Sequence, residues 1–157
     1  MPKQKKNKFV LGITGNIACG KSTVAAIFKT KDCQLIDADC LGHELLSIGT
    51  GVYRKIRKSF GQGILEPDNS IDRSKLAKIV FADKQALAML NGIVHPALIK
   101  EINRLIKNSN KRIIILDAAL IIEAGLRKTV DKLVVVTAKK NQQIGRGQKG
   151  QGFKRGQ

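Results

Sequence analysis

A chain of 157 residues, 43% apolar and 26% charged, is long enough to bury one sizeable core and has the composition of a soluble globular domain. No apolar run approaches the roughly 20 residues of a membrane-spanning helix. The apolar run after the basic tip at residues 1–8 is too short for a signal peptide, so a cytoplasmic protein is expected. Twenty-nine Lys and Arg against 12 Asp and Glu give a net charge of +17, which implies anionic partners. The charge alone leaves a phosphate-handling enzyme and a nucleic-acid binder both open. With one Tyr, five Phe and no Trp, however, the chain has no interleaved aromatics on which bases would stack.

Residues 9–14 are a short apolar run suited to a buried strand. They lead into Gly15-Asn16-Ile17-Ala18-Cys19-Gly20-Lys21-Ser22, with Thr23 behind it. The pattern G-x-x-x-x-G-K-S is a phosphate-binding loop: the glycines let backbone N–H groups turn inward, and a helix starting at Lys21 adds its positive end. Lys21 is then placed for the β- and γ-phosphates of a nucleoside triphosphate, and the Ser22 hydroxyl for Mg²⁺. Val24, Ala25, Ile27 and Phe28 continue that helix with an apolar face. Residues 33–36 read as a second strand ending at Asp37-Ala38-Asp39, and a helix is expected from about residue 40 to 46. A further helix over 52–60 stops at Gly61, and Pro67-Asp68-Asn69 is a turn. Asp72 is placed to cap a helix over 73–81.

Residues 84–107 carry apolar side chains at three- and four-residue steps, interrupted by His95-Pro96. Because proline is best tolerated in a first helical turn, two helices with His95 at their joint are expected. Runs at 113–116, ending at Asp117, and at 132–137 complete a set of four strands. Nearly all-apolar strands alternating with helices mean an α/β fold with a parallel sheet flanked by helices, and ligands at the carboxyl ends of the strands. The expected organisation is a basic tip at 1–8, one domain at 9–144 and a Gly/Lys/Gln tail at 145–157 that can bury almost nothing. Cys19, Cys33 and Cys40 lack metal-ligand spacing, and as an odd set they read as reduced, structural thiols.

Phosphoryl transfer to a hydroxyl needs a carboxylate to take up the proton. Asp37 and Asp39, two apart, share one face if strand geometry persists through them. Otherwise one caps a helix and the other is solvated. Asp117 either touches a Mg²⁺-bound water or simply ends its strand.

These elements together resemble the dephospho-coenzyme A kinase family. The resemblance rests on the loop from Gly15 to Thr23, Ile36-Asp37-Ala38-Asp39, Phe60-Gly61, Asp68-Asn69-Ser70-Ile71-Asp72-Arg73, Val80-Phe81, His95-Pro96, the segment from Leu116 to Glu123, and Gln143-Ile144-Gly145-Arg146. It implies a three-layer P-loop kinase fold, a helical acceptor-binding insertion at about 40–108, and transfer of the ATP γ-phosphoryl group to the ribose 3′-hydroxyl of dephospho-CoA. It further implies Asp39 as the catalytic base, Lys21 as the phosphate lysine and Arg146 as a lid arginine. Asp37, His95, Leu120 and Glu123 fall in the acceptor site, and Ser22 and Asp117 serve the metal. Ala119 stands where the family has a proline, and Asn69 where it has a turn glycine. The family continues past Arg146 with a lid and a closing strand and helix, so the chain reads as C-terminally truncated, with ATP binding kept and turnover reduced. The alternatives are a nucleotide-binding remnant and a basic nucleic-acid-binding protein on a P-loop fold.

Overall fold

The β-branched and apolar runs form four strands: β1 (Phe9–Gly15), β2 (Cys33–Asp37), β3 (Ile113–Asp117) and β4 (Lys132–Val136). The structure is a computed structural model, and it describes residues 8–15, 20–28, 32–119 and 125–137. All strand pairs are parallel and the order is β2-β3-β1-β4. This is the expected α/β arrangement, since parallel strands are joined through crossovers that carry helices. Two compact units are present, Met1–Asp37 with Leu105–Gln157, and Ala38–Arg104.

In the sheet unit, α1 (Lys21–Phe28) follows β1. Strand alternation sends Ile13 and Ile115 to one face, where they form a core with Ala25 of α1. Val24, Cys33, Leu35 and Val136 pack against it. Paired residues of parallel strands face the same way, so this face can be followed along the register: Leu35 is opposite Ile115, and two residues on Asp37 is opposite Asp117. The entry to β4 is fixed by a reciprocal pair of bonds. The Val10 N–H donates to Asp131 Oδ2 at 2.7 Å, and the Asp131 N–H donates to the Val10 carbonyl at 2.8 Å. Lys8 Nζ donates to the carbonyls of Ile106 and Lys107 at 2.5 and 2.6 Å, satisfying groups that a helix C-terminus leaves without partners.

The second unit is helical: α2 (Ala38–Leu45), α3 (Gly51–Phe60), α4 (Arg73–Ala82) and α5 (Lys84–Asn108) up to Arg104. Its core gathers Val52, Tyr53 and Ile56 of α3 with Ile64, Ile71, Leu76, Val80 and Ala86. The outer side of α3 carries Arg54, Lys55, Arg57 and Lys58, all exposed, so the helix is apolar inside and basic outside. Thr50 caps α3 by accepting from the Tyr53 N–H at 2.9 Å, and Asp72 caps α4 by accepting from Ser74 and Lys75. Gly61 ends α3 at φ 79°, and Asn69 holds its turn at φ 66°, a left-handed position that asparagine tolerates. The Tyr53 hydroxyl reaches that turn, donating to the Asn69 carbonyl at 2.6 Å.

Two expectations fail. Helix α5 is continuous over 25 residues with Pro96 inside it, in place of two helices jointed at His95. Pro96 forfeits the bond to the Gly92 carbonyl, a cost of about 3 kcal/mol. Leu90, Ile93, Val94 and Ala97 on either side are packed on the core, and a break would return them to water. Second, strand geometry does not persist through Asp39: β2 ends at Asp37, and α2 begins at Ala38, which is 2% exposed.

Candidate functional site

The chain leaves the central strand β1 at Gly15 and re-enters regular structure at Lys21. Gly20 joins the two at φ 92°, a conformation that a side chain at this position would oppose. The Val24 N–H donates to the Gly20 carbonyl at 3.0 Å, so α1 is hydrogen-bonded from its first turn, with Lys21 at its start. Of the phosphate-loop residues expected from the sequence, Asn16, Ile17, Ala18 and Cys19 lie outside the described residues, as does the Ser22 side chain.

Lys21 Nζ donates to Asp117 Oδ1 at 2.5 Å, with the two side chains 15% and 7% exposed. The contact follows from the register. Asp117 is two residues beyond Ile115 on the α1 face of β3, and Lys21 opens the helix that covers that face. An ion pair this enclosed is strengthened by the low surrounding dielectric, and removing Lys21 would leave the Asp117 charge without this compensation. The strand ends are tied together next to it. The Ala118 N–H donates to the Ile13 carbonyl at 3.1 Å, and the Thr14 hydroxyl donates to the Ala119 carbonyl at 3.0 Å.

Asp37 lies one strand over from Asp117, in register with it, on the same face and exposed. The sheet unit therefore brings Gly15, Gly20, Lys21, Asp117 and Asp37 to one end of one sheet face. Asp39 is in the first turn of α2, exposed, where a negative charge is favoured by the helix dipole. His95 is half-buried within α5. Leu120, Glu123 and Arg146 lie outside the described residues. Sequence reasoning did not anticipate the direct pairing of Lys21 with Asp117, which are 96 residues apart and meet only through the β1–β3 register.

Comparison with known proteins follows the same lines. A family model described as dephospho-CoA kinase matches residues 9–157. A dephospho-CoA kinase of Aquifex aeolicus is 45% identical over 150 residues, covering 92% of this chain and 76% of the relative. One from Carboxydothermus hydrogenoformans is 40% identical over 149 residues, covering 93% of this chain and 72% of the relative. A crystal structure from Thermus thermophilus superposes with a TM-score of 0.81 at 25% identity, over 93% of this chain and 74% of that one.

Proposed function

The chain belongs to the dephospho-CoA kinase family, and from that premise we propose how its residues divide the work of phosphorylating dephospho-CoA with ATP, the last step of coenzyme A synthesis. The 3′-hydroxyl oxygen of the acceptor ribose bonds to the γ-phosphorus as the bond to the β–γ bridging oxygen breaks, releasing ADP. The hydroxyl proton passes to Asp39, in the first turn of α2, which of Asp37 and Asp39 is the one that matches the family's base position.

Lys21 carries the phosphate charge. Without nucleotide it is held on Asp117, and it exchanges or shares that partner when the β- and γ-phosphates arrive in the loop from Gly15 to Thr23. Holding the ammonium in place beforehand reduces the reorganisation needed at the moment of transfer. Asp117 and the Ser22 hydroxyl are hard oxygen donors, a set suited to Mg²⁺, and these two residues would hold it. Held there, the ion would supply positive charge against the negative charge that develops on the phosphates during transfer. Asp37, His95, Leu120 and Glu123 are assigned to the acceptor and Arg146 to charge balance on the transferring group. The helical unit Ala38–Arg104 is assigned to the acceptor as a whole. Among the described residues no helix is long and apolar enough to cross a membrane. We place the reaction in the cytoplasm with its two water-soluble substrates. Neither the remnant nor the nucleic-acid reading gains support from the likenesses.

The observation that carries this reading is the Lys21–Asp117 pair at the carboxyl end of the central strands. The test is to incubate the purified chain with ATP and dephospho-CoA and identify the product by mass and by the position of its new phosphate. ADP formation that requires dephospho-CoA, and is lost in Lys21→Ala, supports the assignment. ATP binding with no acceptor-dependent ADP at any enzyme concentration would overturn it.

A further inference from the structure

We propose that Thr14 is a positioning residue for the transfer: it holds the chain that leaves β3, and through Asp117 it fixes where the Lys21 ammonium stands. This deepens the functional reading above and rests on it for the role of Lys21.

Among the described residues the buried polar ones are Thr14 and Asp117, 8% and 5% exposed. Asp117 is engaged by Lys21. The Thr14 hydroxyl has no part in the reaction as described, yet burying it is costly unless it is hydrogen-bonded. It donates to the Ala119 carbonyl at 3.0 Å, 105 residues away in the chain. A valine would fill the same space with no hydroxyl to satisfy, so the bond itself is the feature to explain.

The register shows what the bond does. Strands β1 and β3 pair as far as Ile13 and Asp117. Past that point two bonds continue the connection. The Ala118 N–H donates to the Ile13 carbonyl at 3.1 Å and holds the peptide plane directly after Asp117. The Thr14 hydroxyl holds the plane that leaves Ala119. With both planes held, the end of β3 is kept from turning, and Asp117 stays on the α1 face where Lys21 meets it. Strand alternation points Ile13 toward α1, so Thr14 leaves β1 on the opposite face. The exit of β3 is thus gripped by Lys21 on one face of the sheet and by Thr14 from the other. Threonine suits this task, because its branched Cβ restricts χ1 and keeps the hydroxyl aimed. Gly15 follows directly, so one short segment sets both the entry to the phosphate loop and the exit of β3.

The test compares Thr14→Val, which keeps the shape and removes the donor, with Thr14→Ser, which keeps the donor and removes a methyl group. Both are assayed on the full chain by dephospho-CoA-dependent ADP release. Nuclear magnetic resonance of ¹³C-lysine protein reads the Lys21 Cε signal, assigned by its disappearance in Lys21→Ala. Each variant loses a buried contact, so both should melt below the unsubstituted chain. Only Thr14→Val is expected to lose rate. Its kcat per folded site should fall about 10–100-fold, the scale of a misplacement of about 1 Å. Its KM for ATP should stay within about threefold, because the loop N–H groups still bind the phosphates. Its Lys21 signal should move, whereas Thr14→Ser keeps that signal and a kcat within about threefold. Unchanged kcat in Thr14→Val would overturn the proposal. So would equal rate losses in the two variants, which mark a role in stability alone, or a rate loss with the Lys21 signal unmoved. If the unsubstituted chain shows no acceptor-dependent turnover, the kinase assignment falls and the Lys21 signal decides this proposal by itself. A signal displaced in Thr14→Val and kept in Thr14→Ser sustains it, and any other pattern ends it.

Discussion

The sheet unit and the helical unit treat charge in opposite ways. At the strand ends, Lys21 and Asp117 are taken largely out of water and paired with each other, although an apolar pair of similar size would often be at least as stable. In the helical unit, the ionised groups described by hydrogen bonds keep contact with water, Asp72 and Glu101 at 15% and 30% side-chain exposure. Asp72 caps a helix, Asp68 accepts from Ser70, and Glu101 pairs with Arg104, while the interior is apolar apart from the hydrogen-bonded Tyr53 hydroxyl. On the proposed function, the buried pair at the end of the sheet holds the Lys21 charge in place for the phosphates. Surface charges on a packed helical cluster mark a scaffold, whose stability comes from burial and caps. Substitutions in the first unit should therefore reduce turnover, and those in the second should mainly reduce stability.

The largest departure is expected for Lys21→Ala. Turnover should fall by roughly 10³-fold or more, because the γ-phosphate loses its fixed cation. The buried Asp117 is also left alone, at a cost of about 3 kcal/mol. A substitution that lowers neither the rate nor the melting temperature would remove the contrast between the units.

Asp39→Asn tests the contrast from the other side, because Asp39 is an exposed residue of the helical unit to which chemistry is assigned. We expect kcat to drop by roughly 10²–10⁴-fold with ATP affinity retained. Asp37→Asn should affect the chemical step less. Small and equal losses at both positions would end the assignment of Asp39 as the base.

Ile56 is 0% exposed at the centre of the helical core. Ile56→Ala should reduce unfolding free energy by about 2–5 kcal/mol in denaturant titrations. The fraction that remains folded should keep its turnover per site. Thr50→Ala should cost about 1 kcal/mol by removing the α3 cap. A matching loss of kcat in either variant would show that the packing of the helical unit, and not only Asp39 and the acceptor contacts assigned to it, sets the rate.

The smallest effect is in acid. Hydrogen bonds from Ser70 lower the Asp68 pKa, those from Lys75 lower Asp72, and the Arg104 fork lowers Glu101. A carboxyl lowered by folding contributes stability above its unfolded value, and that contribution disappears as pH falls through the folded value. With unfolded values near 3.8 for the aspartates and 4.5 for the glutamate, these three groups should withdraw a little stability as pH falls below those values. All three groups are at the surface, so salt should shrink the effect. A titration of melting temperature against pH measures it.

Much of this molecule is local and was therefore legible in the residues. Gly20 before Lys21-Ser22, the β-branched run at Ile113–Asp117, the Asp72 cap and the Asn69 turn each depend on a few neighbouring positions, and each forms as read. Local preference also misled. Pro96 signals a break, yet the apolar side chains around it bury together and carry one helix through. Asp37 and Asp39 look like one strand-end pair, but Ala38 starts a helix and assigns them to different elements. The order β2-β3-β1-β4, the alignment of Asp37 with Asp117, and the contact of Lys21 with Asp117 were decided only by tertiary structure. The sequence by itself carried the phosphate-loop pattern from Gly15 to Thr23, because that pattern is written in adjacent residues. The placement of Lys21 against Asp117 depends on strand pairing across nearly a hundred residues, and no local pattern encodes it.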